Sequence, residues 1–445
     1  MPGFVPLPFA HHDWRNPDLE PGRTACPPSE ELSPLGRATL AARSPCNMVH
    51  IDLPAPVTQA NRLLGDWLDQ GVLVRREGAY YLLATRFSLE AEPDLPVIRW
   101  SVFGGLRLSP WGTDGVFPLE GLPAPAREGD QEPLRAIRAT RAQLAPVFGV
   151  FDDPGLDLCA MGAEVEATFN PLAVFREAEV IHRLWRLPGK FEAAVAASLA
   201  GREVFIADGV PRYEAALAYQ AERGPGGGER PWDWAFACLA NLALQGAAVL
   251  PLHRLLLPLL PQASLEAALA KARAGFSLHV VDSLDALEAC PVAAAFVLES
   301  DGVKTLLVPW PADATDAAGT ADAARAAGIP GTGGAGGETI PTDAGSPADA
   351  APARIGAQAA DEAFLRDCLG LSEADMAGGA YLRHTSRVAE ARLALAQGEA
   401  LAALFLKPVS IGHIRAMLHR GQALPRHAAF FHPKTPTGLL LHLFR

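Results

Sequence analysis

EVFIADGVPRYEAALAY, residues 203–219, is the stretch on which the reading of this chain turns. The apolar run Val204, Phe205, Ile206, Ala207 predicts a strand, Asp208-Gly209 a turn, and the residues from Arg212 onward a helix. A strand that turns through Asp-Gly into a helix points open backbone N–H groups and the positive end of a dipole at one spot. Such a spot suits a phosphate, and Arg212 in the first helical turn suits a bidentate clamp on it. A structural reading fits the same residues. Asp208 caps the helix, Gly209 takes a dihedral that other residues avoid, and Pro211 fills the first turn, where its missing N–H costs nothing. On local chemistry both readings stand.

Outward from this turn, helix and strand patterns alternate. Thr58–Gln70 reads as a helix with Leu63, Leu64, Trp67 and Leu68 on one face and Gly71 as its C-terminal cap. Val72–Val74, Tyr80–Phe87 and Val97–Leu108 read as strands, the first two joined at Glu77-Gly78. Leu134–Leu144 reads as a helix, Pro146–Phe151 as a strand, and Phe191–Leu199 as a helix closed by Gly201. The apolar stretch Trp234–Leu260 is interrupted by Asn241, Gln245, Pro251, His253 and Arg254, which fits core strands better than a membrane span. Near the end come a helix at Ser386–Gln397, a strand at Leu401–Leu406, a helix capped by Ser410 and ending near Gly421, and a strand at Gly438–Phe444. The pattern predicts an α/β or mixed α+β protein.

The 445 residues suffice for two or three domains, and 49% of them are hydrophobic against 20% charged, enough for a sizeable core. The Ala/Gly/Pro-rich segment from Pro311 to Ala360 has too few large apolar residues to offset its ordering entropy and reads as a disordered insertion or linker. It divides a region at 1–310 from a smaller α/β part at 361–445. A net charge of −12 argues against a broad electrostatic hold on nucleic acid or anionic membrane. The six cysteines lack C-x-x-C spacing, so no zinc knuckle or dithiol centre is signalled, and buried free thiols in the cytoplasm are expected. The N-terminus shows no secretion signal, and neither a Walker loop nor a Rossmann fingerprint occurs.

Several segments add up in order: LAARSPCNMVHIDLP (40–54), FPLE (117–120), LRAIRATRAQLAPVFGVFDD (134–153), IADGVPRYEAALAY (206–219), YLRHT (381–385), FLKP (405–408) and LPRHAAFFHPKTPTGLLLH (424–442). With this order and spread the chain resembles a large prokaryotic family, the domain of unknown function one thousand and fifteen. The resemblance covers nearly everything except the linker. It implies a ParB/sulfiredoxin-like core, a fold whose members include CTP-binding partition proteins and free-serine kinases. In that grouping an Asp-Gly-His-His-Arg turn looks like a phosphate-binding element, and a glutamate elsewhere serves the kinases as base. This chain matches the turn at Asp208, Gly209, Arg212, Tyr213 and Glu214 and departs at Val210 and Pro211, where two histidines are usual. It departs again at Leu119, within an expected Pro-His-Glu, and at Ser29-Glu30, where Tyr-Asp is expected. Each departure replaces a group able to carry a proton or hydrogen bond, which implies weakened chemistry.

The resemblance thus points to a kinase-type phosphotransferase acting on a small hydroxyl compound, serine-like by analogy. Asp208, Gly209, Arg212 and Tyr213 would hold phosphate, Glu120 would be the base, and ATP or ADP would come with Mg²⁺. The rival is a non-catalytic nucleotide or phosphometabolite binder. A DNA-linked partition role is disfavoured by the acidic balance and by the lack of a recognisable helix-turn-helix. Arg138, Thr140 and Arg141 form a second candidate grip for an anion, or else a charged helix face. His384, Thr385 and Lys434, from the C-terminal part, are candidate contacts from a second domain, with a surface lysine as the alternative for Lys434. His11-His12-Asp13, in what reads as an irregular tail, is not expected to bind metal. The tryptophans at 67, 185, 232 and 234 read as core.

Overall fold

The computed structural model describes residues 2–444 except 29–30, 53–56, 90–91, 123–131, 225–227, 244–245, 247, 261 and 311–353. The chain is mixed α/β and forms two compact units, Met1–Ala248 with Phe431–Arg445, and Val249–Phe430. The first unit is built on a nine-stranded sheet. Its strand order is Val116–Pro118, Val204–Asp208, Val147–Phe151, Trp234–Asn241, Glu92–Arg107, Tyr81–Leu89, Val180–Arg186 and Ala173–Glu177, with Phe4–Val5 also pairing Glu92–Arg107. Val204–Asp208 runs parallel to Val116–Pro118 and Trp234–Asn241 parallel to Val147–Phe151, whereas the remaining pairs are antiparallel.

Alternation sorts the side chains. Leu82, Ala84, Trp100, Val102, Ala237, Leu239, Val147 and Ile206 join Leu158, Val165, Val195, Tyr213 and Ala216 from the helices in one core. The Asp157–Thr168 helix lies so close to the sheet that a Cβ on Gly162 would stand 2.4 Å from the Trp100 ring. A smaller four-stranded sheet has the order Leu73–Arg75, Phe9–His12, Leu441–Leu443, Ala142–Gln143. The second unit carries a six-stranded antiparallel sheet whose central strands, Phe296–Ser300 and Ala402–Leu406, bury Val297 and Phe405 beneath the Val388–Ala396 helix.

Local pattern and structure agree for most elements. The expected helix at 58–70 spans Val57–Asp69, and Ser410 caps Ile411–His419 by accepting from the His413 N–H. Three expectations are revised. The helix expected over 134–144 ends at Thr140, because Arg141 takes φ +52° and Ala142–Gln143 enters the small sheet. His11 and His12 are not in an irregular tail but in a buried strand, where the His12 imidazole bonds the Cys46 carbonyl at 3.0 Å. The units divide near residues 248 and 430 rather than at 310 and 360, since Leu441–Leu443 pairs with Phe9–His12 and so returns the C-terminus to the first unit. Most of the expected insertion, 311–353, lies outside the described residues, and its last few are structured: Ile355, Ala357, Ala359 and Ala360 are buried at the start of a helical segment. All six cysteines are free, Cys26, Cys238 and Cys290 buried and the other three partly exposed. Of the four tryptophans read as core, Trp67, Trp185 and Trp234 are buried and Trp232 is partly exposed. No helix among the described residues is long and apolar enough to cross a membrane.

Candidate anion-binding site

Val204, Phe205 and Ile206 anchor their strand in the core, and the pairing shifts register between Ile206 and Asp208, so that Asp208 stands opposite Phe148. The strand ends there and the Val210–Glu222 helix begins at Gly209. Gly209 is the helix N-cap at φ +82°, and no side chain caps the helix. A Cβ at this position would meet Arg212 Nη1 at 3.0 Å and Val147 Cα at 3.3 Å, so glycine is required twice, by dihedral and by space. The Arg212 guanidinium is thus folded back over the turn. The N–H groups of Arg212 and Tyr213 bond the Gly209 carbonyl at 2.9 and 3.0 Å, and Pro211 has none. Gly209 and Val210 are left as the backbone donors at the mouth of the helix.

Asp208 does not cap the helix. Its carboxylate lies 3.2 Å from Lys434 Nζ, with side-chain exposures of 19% and 15%. Glu120 joins from the other side. Val116–Pro118 pairs in parallel with Val204–Ile206, and the Leu119 N–H continues the ladder to the Ile206 carbonyl at 2.9 Å. The half-buried Glu120 follows directly on this ladder. The Arg212 side chain also lines a cavity of about 120 Å³ with Asp52, Glu132, Ile137, Gln143 and Leu144. Asp208, Lys434, Arg212 and a helix N-terminus therefore come together where the strand ends. Among the described residues, no group of three His, Cys, Asp or Glu side chains is arranged to hold a metal ion.

The family model described as "Protein of unknown function (DUF1015)" matches residues 7–325. The chain belongs to this family. The match takes in Glu120 and the Asp208–Arg212 turn and stops short of Lys434. No curated protein matches the chain. Among solved structures, it is similar to a conserved hypothetical protein from Pyrococcus furiosus (TM-score 0.36, 12% identity, 74% of this chain and 89% of that one). It is also similar to a free serine kinase in complex with AMP (TM-score 0.33, 10% identity, 74% of this chain and 86% of that one).

The other expected site residues of this DUF1015 protein lie apart from the turn or carry other duties. Tyr213 is fully buried, and its hydroxyl accepts from the Ser109 N–H at 3.1 Å and donates to the Ser109 carbonyl at 2.9 Å, which commits it to the core. Arg138 and Arg141 do not form one grip. Arg138 forks onto Glu222, and Arg141 leaves the helix at positive φ. Thr140 donates to the Ala136 carbonyl at 2.7 Å. His384 and Thr385 belong to the second unit, where the His384 ring packs at a tilt on His427 with centroids 4.2 Å apart and Thr385 donates to Glu390 at 2.7 Å. Burial pushes the His384 imidazole down to about 2, aided by His427 and two arginines, so it stays neutral. Lys434 is no second-domain contact: it belongs to the first unit and meets Asp208 there. Of the departures from the family motif, Leu119 is fully buried, Val210 packs against the core, and Ser29-Glu30 lies outside the described residues.

Sequence reasoning missed Arg99. It is buried on Glu92–Arg107, it donates to the carbonyls of His432 and Pro433, and its guanidinium sits 5.0 Å from the Phe148 ring centroid. The signal was a lone arginine inside the apolar run 97–106.

Proposed function

We propose that this protein binds the phosphate groups of a nucleotide or phosphorylated metabolite at the Asp208–Arg212 turn. On this reading it is a ParB-like phosphotransferase related to the free-serine kinases, passing a phosphoryl group to a small hydroxyl compound. The observation that carries the reading is the arrival of Lys434 at Asp208, beside Arg212 and an uncapped helix N-terminus. A lone helix start is ordinary. An arginine of its own first turn and a lysine brought from the far end of the chain make it a place for a polyanion.

The roles follow from the chemistry of each group. The Gly209 and Val210 N–H groups would donate to one phosphate, Arg212 would bind it through its fork, and Lys434 would act as a mobile point charge on the next. Glu120 would take the proton of the acceptor hydroxyl as its oxygen attacks the terminal phosphorus. The bond to the bridging oxygen then breaks, and the nucleotide leaves with one phosphate fewer. Mg²⁺, if used, would offset phosphate charge. The donors fit it modestly: Asp208 and Glu120 offer hard carboxylate oxygens, and phosphate and water would complete the shell.

One observation favours the rival reading of a binder without turnover. Leu119 is buried and Val210 packs against the core where the family usually shows histidine, so the side-chain donors flanking the turn are gone while its backbone geometry is kept. A thermal-shift panel of ATP, ADP, CTP and GTP with Mg²⁺, each with and without L-serine, separates the two. A shift that deepens with serine, with turnover abolished in Glu120→Gln, supports the kinase. A shift with nucleotide alone supports the binder. No shift with any nucleotide refutes both.

A further inference from the structure

Arg99 is 2% exposed, and its Nε makes no hydrogen bond. No carboxylate faces it among the described residues: its partners are two consecutive main-chain carbonyls, His432 at 3.1 Å and Pro433 at 2.5 Å, and the Phe148 ring. Burying a guanidinium without an acid is costly, and neutral donors would satisfy two carbonyls as well. The cost falls at a telling place, because the residue after Pro433 is Lys434. The same sheet face closes the circuit. Phe148, beneath the guanidinium, is the strand partner of Asp208, and Thr435, just beyond Lys434, donates to Cys238 Sγ at 3.9 Å. Phe431, just before it, packs on Phe148 with centroids 5.8 Å apart. The segment 431–435 is therefore pinned to the sheet on both sides of Lys434, with Arg99 as a buried charged clamp on its main chain.

We infer that Arg99 is a positioning residue of the phosphate site: by fixing the peptides of His432 and Pro433 it aims the Lys434 ammonium at Asp208 and at the anion entering the turn. The inference rests on the proposed phosphate site for its purpose but not for its geometry. A planar fork that reaches two successive carbonyls explains why arginine stands here, and why lysine would serve only in part.

The test uses the full-length chain as wild type, Arg99→Lys and Arg99→Met, each checked for folding by circular dichroism. The first readout is the rate at which a succinimidyl ester acylates Lys434, followed by peptide mass spectrometry with the exposed Lys271 as internal reference. The second is affinity for inorganic pyrophosphate. Freed from its clamp, Lys434 in Arg99→Met should label about tenfold faster and pyrophosphate should bind about tenfold more weakly, the scale of one charged hydrogen bond. Arg99→Lys should fall between, and it decides the matter alone if Arg99→Met does not fold. A merely structural arginine would lower the melting temperature and leave the Lys434 rate at the wild-type value, and that result overturns the inference. Failure of the wild type to bind pyrophosphate would refute the phosphate site instead, while the labelling rates still decide what Arg99 does.

Discussion

Lys434 Nζ lies 3.2 Å from the Asp208 carboxylate, and this ion pair joins the last segment of the chain to the turn that opens the Val210–Glu222 helix. Both side chains are mostly shielded from water, so the pair is stronger than an exposed one. It also gives the turn a resting state. Asp208 holds the ammonium; on the proposed reading, a phosphate at the helix mouth would compete for it.

Lys434→Met should therefore weaken nucleotide binding by about 1.5–3 kcal/mol, the scale of a charged hydrogen bond, and flatten its salt dependence. Titration of ATP at two ionic strengths measures both. Asp208→Asn should do the opposite if the carboxylate only competes for Lys434, and should raise the Mg²⁺ concentration that binding needs if it holds the ion.

Arg212→Ala and Tyr213→Phe separate ligand contact from support. The first should cost about 1.5–3 kcal/mol of phosphate affinity with little change in melting temperature. The second removes a buried hydroxyl that serves the Ser109 peptide on both sides, so it should lower stability by about 1–3 kcal/mol and leave affinity intact. A binding defect in Tyr213→Phe at a temperature where it is folded would show that the site extends to that ring.

Gly209→Ala meets a positive φ and the Arg212 guanidinium together. It should destabilise the fold by about 1 kcal/mol or more from the dihedral alone and displace Arg212 from the turn. Chemical denaturation and nucleotide titration on the same variant read the two effects. Wild-type affinity would place Arg212 outside the ligand shell.

Acid should unfold the protein through its buried histidines. Burial holds His12, His253 and His442 down to about 4, against an ordinary value of 6.5. Above 6.5 these groups are neutral in both states and neither favour nor oppose folding. As pH falls from there toward about 4, the unfolded chain takes up protons that the folded chain refuses, so stability declines. Melting temperatures should be level near neutrality and drop steadily across that window. A level profile down to pH 4 would mean that the imidazoles are hydrated in the folded protein.

The strand-turn-helix at 204–222 was legible because every cue is local: the β-rich run, Asp-Gly, Pro211 early in the helix, and then a helical pattern. The partners of Asp208 were not legible. Lys434 sits among Pro433, Thr435 and Pro436 with nothing nearby to mark its target, and the return of Leu441–Leu443 to Phe9–His12 is a long-range pairing that no window contains. The helix from Glu132 looked longer than it is, since Ala142 and Leu144 keep a helical phase that tertiary pairing overrides. The Arg138 cluster looked like an anion grip because Glu222, which takes up Arg138, lies far along the chain.

The most direct test of the phosphate site is a calorimetric titration of Mg-ATP into the wild type and into the Lys434→Met, Arg212→Ala double variant. Saturable binding in the wild type that disappears in a folded double variant is the predicted result. Equal affinity in the two proteins, or no binding to the wild type, would contradict it.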